Sequence, residues 1–138
     1  MDVLIDSGFL YATLDKSDKH HPKATEALSS LSNEMIVLPT IVLVEVSYLL
    51  GARIGHNAIQ TFVDQVKDSP LELVCLERLD LVRVHELLQQ YASIELDFVD
   101  ASITALAERL NIRQILTVDA RDFHIIRPRH CDYFDIFP

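Results

Sequence analysis

Apolar and polar positions along this chain change period repeatedly, and each change marks a boundary between elements. Residues 3–6 form a short apolar run of strand length, and a helical start follows over 9–14 before the polar break at 15–18. Residues 20–31 place Ala24, Ala27, Leu28 and Leu31 on one helical face, with Pro22 tolerated in the first turn. A second strand is expected at 35–38. Pro39 and Thr40 then open a long apolar stretch over 41–54, whose length favours a helix despite its β-branched start. A weaker helix over 57–66 and a strand over 71–76 are separated by Ser69-Pro70. Residues 77–91 are strongly helical, with Leu81, Val84, Leu88 and Tyr91 in line. Another helix is expected at 98–110, capped by Asp97, followed by strands at 114–117 and 133–137. Strands and helices alternating in this way predict a single α/β domain over residues 1–138, with a mainly parallel sheet and helices on both faces.

Asp6, Glu45, Asp100 and Asp119 interrupt this pattern, each lying in or beside an apolar run. A carboxylate near a core must be paired, hydrogen-bonded or neutralised by a cation, because its desolvation otherwise costs several kcal/mol. No Lys or Arg lies within five residues of Asp6 or Glu45. The predicted topology brings the acids together, since ligands of open parallel sheets bind beyond the carboxyl ends of the strands. Asp6 ends the first strand, Asp119 follows the fourth, and Glu45 and Asp100 lie near the starts of helices, so all can reach one edge. Oxygen ligands alone suit Mg²⁺ or Mn²⁺. Each acid also has a plainer role open to it. Asp6 can cap the next helix, Asp97 with Asp100 resembles a capping box, and Asp119 and Asp122 can form a turn and an ion pair with Arg121. Glu45 fits a plain role least, because its helical neighbours Ile41, Val42, Tyr48 and Leu49 are apolar.

The net charge of −9 argues against diffuse binding to long nucleic acid but leaves room for a local groove. Arg121, Arg127 and Arg129, beside His124 and His130, are the densest basic group, either a solvated rim or a set of phosphate contacts. Cys75 and Cys131 are too far apart for a CxxC pair and are expected to be buried thiols. No HxxxH spacing offers a competing metal site. The opening residues carry neither a basic n-region nor a long apolar stretch, which predicts a cytoplasmic protein without a membrane span. A phospho-receiver domain requires a Lys after its last strand, and none follows Lys67; a haloacid-dehalogenase-like phosphatase requires Asp where Gly8 stands.

Taken together, Val3-Leu4-Ile5-Asp6-Ser7, Leu38-Pro39-Thr40 leading to Val44-Glu45-Val46, Asp97-Phe98-Val99-Asp100-Ala101, and Thr117-Val118-Asp119 with Asp122-Phe123 resemble the PIN-domain ribonucleases. The resemblance is greatest to the VapC-type toxins of toxin–antitoxin pairs. It implies a PIN-like, Rossmann-like fold and a Mg²⁺- or Mn²⁺-dependent endoribonuclease that hydrolyses RNA phosphodiester bonds. It makes Asp6, Glu45, Asp100 and Asp119 metal-binding catalytic acids, with Asp97 and Asp122 as neighbours and Ser7 and Thr117 orienting the carboxylates. Gly8 departs from it, since many relatives carry Ser or Asn there. A small antitoxin and a homodimer are the implied partners. The competing readings are a non-enzymatic interaction module on the same fold and a housekeeping RNA-processing nuclease.

Overall fold

The computed structural model describes residues 2–138. Five strands, β1 (Asp2–Ile5), β2 (Met35–Pro39), β3 (Glu72–Val74), β4 (Gln114–Leu116) and β5 (Asp135–Phe137), form one sheet in the order β3-β2-β1-β4-β5. Every neighbouring pair is parallel. The central strand β1 buries Val3, Leu4 and Ile5 almost completely, because a strand covered on both faces has no solvent side to make polar.

The connections are helical. α1 (Ser7–Leu14) and α2 (His21–Ser29) join β1 to β2, α3 (Thr40–Arg53) and α4 (His56–Lys67) join β2 to β3, and α5 (Arg78–Gln90) and α6 (Phe98–Leu110) return to β4. The short α7 (Arg121–Ile125) precedes β5. The first two crossovers progress toward β3 and the third runs back, so right-handed connections place their helices on opposite faces of the sheet. The strand order reverses between β1 and β4, which opens a crevice beyond their carboxyl ends.

The elements follow the expected order, with three local differences. α7 occupies what reads in sequence as a turn. Leu81 is exposed, and α5 instead buries Asp80, Val84 and Leu87. Asp80 is tolerated there because it accepts from Arg109 Nε at 3.1 Å and from the backbone N–H of Glu77 at 2.8 Å. The cysteines are free thiols but neither is buried: Cys75 is exposed just beyond the edge strand β3, and Cys131 is half-exposed in the loop before β5. Among the described residues, no helix is long and apolar enough to cross a membrane.

Candidate active site

Asp6 is placed by the end of β1. Its backbone N–H extends the sheet by bonding to Leu116 O at 2.9 Å, and its side chain caps α1 by accepting from Ser7 N at 2.8 Å. The second carboxylate oxygen accepts from the Thr117 hydroxyl at 2.9 Å across the β1/β4 boundary. Thr117 thus holds one oxygen of the Asp6 carboxylate. Among the described residues the buried Ser7 hydroxyl has no hydrogen-bond partner, and Ser7 contacts the carboxylate through its backbone N–H.

The starts of two helices bring further acids. β2 passes into α3 without a loop, so Glu45 lies in the second turn, half-buried, while Val42, Val46 and Leu50 turn to the core at helical spacing. Asp97 caps α6 by accepting from Asp100 N at 2.8 Å, and this capping places Asp100 in the first turn. Burial and the charges of Glu45 and Asp97 outweigh the hydrogen bonds to Asp6 and raise its pKa to about 6. Burial, and then the charges of Asp6, Asp97, Asp122 and Glu45, raise that of Asp100 to about 8. Such shifts record carboxylates crowded together at reduced solvation.

Asp119 stands differently. Its side chain is 71 % exposed and faces Arg121 at 3.8 Å, while its backbone N–H bonds to the Thr117 hydroxyl. Asp122, on the first turn of α7, is the carboxylate of this segment that acts on Asp100. Gly8 packs α1 against the β4–α7 connection: a Cβ there would meet Val118 at 3.3 Å, closer than ordinary contact, so Ser or Asn would press on that loop. The basic group is also partly committed. Arg127 donates to the carbonyls of His124 and Ile126, and Arg129 pairs with Glu86 while its N–H bonds to Glu108. Arg121 is the most open of the three: its guanidinium makes long contacts with Asp119 and Asp122, at 3.8 and 3.9 Å, and is 78 % exposed.

The donor set fits a hard divalent cation, being entirely carboxylate and destabilised by its own repulsion. The acids surround the edge without closing on one point: among the described residues, no three His, Cys, Asp or Glu side chains form a ready cation cage. Beside Glu45, an apolar groove lined by Ile41, Val44, Tyr48, Phe98 and Val99 is a feature that the sequence did not announce. The apolar neighbours of Glu45 read as core, yet Val44 and Tyr48 are each 73 % exposed. The one available signal is position, since Tyr48 lies a helical turn from Glu45 and Phe98 lies between Asp97 and Asp100.

These acids lie beyond the carboxyl ends of a parallel sheet at its switch point, where such sheets bind their ligands. The PIN domain family profile matches residues 3–127, and the chain belongs to the PIN-domain family. It is similar to Ribonuclease VapC26 of Mycobacterium tuberculosis, with 26% identity over 136 residues, covering 99% of this chain and 100% of that protein. The fold is shared with M. tuberculosis VapC20, a sarcin-ricin-loop-cleaving toxin, at a TM-score of 0.76 and 22% identity, covering 82% of this chain and 86% of that one. It is also shared with VapBC2 of Rickettsia felis, solved bound to a promoter DNA fragment, at a TM-score of 0.72 and 18% identity over 100% of both chains.

Proposed function

We propose that this chain is an endoribonuclease of the VapC type, the toxin of a toxin–antitoxin pair, hydrolysing RNA phosphodiester bonds with Mg²⁺ or Mn²⁺. The observation that carries the reading is the gathering of Asp6, Glu45, Asp97, Asp100 and Asp122 at the β1/β4 crevice, with Asp6 and Asp100 held above the ordinary carboxylate range. Family membership and the 26% identity to a ribonuclease support it. Asp6, Glu45 and Asp100 would hold the ion, with Asp97 or Asp122 completing the set and Asp119 joining if its exposed side chain turns inward. A bound divalent ion supplies a water of lowered pKa and offsets the charge of the phosphate. This chain's own residues do the positioning: Thr117 fixes the Asp6 carboxylate, and the Asp97 cap fixes the first turn that carries Asp100. Arg121 is the best placed of the three arginines to meet a phosphate.

A small antitoxin carrying an Arg would complement the anionic edge, because a guanidinium pairs bidentately with carboxylates. A homodimer in the cytoplasm completes the reading. Cleavage of a panel of RNAs in Mg²⁺ or Mn²⁺ tests it, with Asp6→Asn and Asp100→Asn as controls. Wild-type cleavage that falls at least about 100-fold in folded variants is expected, since each change removes a charged ligand. Metal binding without cleavage of any RNA would instead favour the non-enzymatic module. Equal growth of cells expressing wild-type or Asp6→Asn protein alone would favour a housekeeping nuclease over a toxin.

A further inference from the structure

From the contacts around α7, we infer that Tyr91 and Arg127 are positioning residues that hold this short helix so that Asp122 stays turned toward the acidic edge. This rests on the metal-dependent ribonuclease reading above. Arg121–Ile125 is too short to hold a helix by its own hydrogen bonds, so its place must be imposed from outside. Phe123 fixes its inner side, fully buried and set edge-on against Phe134 at 5.9 Å between ring centroids. Its far end is fixed by Arg127, whose guanidinium donates to His124 O at 2.7 Å and Ile126 O at 3.2 Å, carbonyls that the ended helix leaves unpaired. The backbone N–H of Arg127 donates to the Tyr91 hydroxyl at 2.8 Å. Burial of Phe123 and Ile126 sets the depth of α7 but is not directional; the hydrogen bonds set its turn about its own axis, and with it the direction of Asp122.

Tyr91 joins the two segments that carry the acids. It follows α5 as its C-cap, its ring packs on the core, and its carbonyl accepts from Ile94 N and Leu96 N, both at 3.3 Å, which closes the loop leading into Asp97. One residue thus sets both the approach to α6 and the end of α7. Arg129 repeats the tie two residues on, its N–H bonding to Glu108 of α6 at 2.9 Å and its side chain to Glu86 of α5. The consequence shows at the acids: the Asp122 side chain is 24 % exposed, whereas that of Asp119, three residues earlier and outside α7, is 71 % exposed. The charge of Asp122 is felt at Asp100, which agrees with that placement. A phosphate contact would call for an outward guanidinium, and Arg127 Nη1 is instead turned back onto α7.

The test measures Mn²⁺ binding to the full chain by calorimetry, beside amide exchange of the metal-free protein. Tyr91→Phe, which keeps the ring, and Arg127→Gln should each raise the Mn²⁺ Kd about two- to tenfold, the range that one hydrogen bond supports. Without metal, both should speed exchange of the His124 and Ile126 amides, which bond to Ala120 O and Asp122 O, and leave the central strands unchanged. Asp122→Asn should raise Kd at least as far, and adding Tyr91→Phe to it should raise Kd no further, because the tether acts only through that carboxylate. In the enzyme, Tyr91→Phe should move RNA cleavage to higher Mn²⁺ and leave the rate at saturating Mn²⁺ nearly unchanged. Single variants that bind Mn²⁺ as the parent does overturn the inference. So does a Tyr91→Phe loss that persists beside Asp122→Asn, which makes Tyr91 a general stabilising contact. An Asp122→Asn protein with the parent's Kd overturns it too, and leaves the ribonuclease reading in place. Wild-type protein that shows the coupling but cleaves no RNA removes the ribonuclease reading and leaves the tether; wild-type protein that binds no Mn²⁺ ends both.

Discussion

Asp100 is the residue whose environment differs most from that of a free carboxylate. Burial and then the charges of Asp6, Asp97, Asp122 and Glu45 hold its pKa near 8 in the fold, against 3.8 ordinarily. The folded state therefore binds this proton more tightly than the unfolded chain does. Below about pH 4 both states are protonated and the site is neutral in its effect; between about pH 4 and 8 stability falls as pH rises, and above that the full cost is present. Asp6 adds a smaller loss of the same sign, complete near its pKa of about 6. In chelator, Asp100→Asn should flatten this slope and stabilise the protein at about pH 8 by on the order of 2 kcal/mol, with little effect at about pH 4. Thermal melts of both proteins across that range check it, and an undiminished slope in the Asn variant would place the repulsion elsewhere.

At the scale of elements, α6 matters most, because its N-terminus carries Asp97 and Asp100 while its far end is clamped to α5. Arg83 donates to both oxygens of Glu108, at 2.8 and 3.0 Å, and the two side chains are only 13 % and 10 % exposed. Breaking such a pair from one side leaves a poorly solvated charge, so Glu108→Gln should cost about 2–4 kcal/mol, read as a lower urea midpoint. Asp97 separates two roles. Asp97→Asn keeps an acceptor for Asp100 N and should leave stability nearly unchanged, whereas Asp97→Ala should cost about 1 kcal/mol. Both should lower the Asp100 pKa, which carboxyl NMR shifts would follow. The cap was legible from the sequence because Asp97 immediately precedes a helical period, as were Pro39-Thr40 before α3. The clasp was not, since Arg83 and Glu108 are joined by packing with no local signature. Residues 121–125 span too little of a helical period to distinguish a helix from a turn, and Leu81 followed the apolar pattern yet lost its buried place to an ion-paired Asp80.

For the molecule as a whole, the sheet order converts acids scattered through the sequence into one anionic edge. Asp6 and Asp100 could be found because charges embedded in apolar runs need a reason to be there. Asp119 and Asp122 follow β4 within a few residues and both lie near Arg121, at 3.8 and 3.9 Å, so sequence alone does not separate them; in the fold Asp119 is largely exposed, while the charge of Asp122 reaches Asp100. With net charge −9 and this edge left to its own repulsion, a divalent ion that binds the folded state should stabilise the protein by mass action. At about 100 times its Kd the ion contributes about 2.7 kcal/mol, a shift of several degrees in a chain of this size. Mg²⁺ or Mn²⁺ should therefore raise Tm well beyond NaCl of matched ionic strength. That excess should vanish in Asp100→Asn and persist in Asp119→Asn if the exposed carboxylate stays with Arg121. An equal rise in matched NaCl would mean screening of surface charge, and an excess that survives in Asp100→Asn would move the ion away from the start of α6.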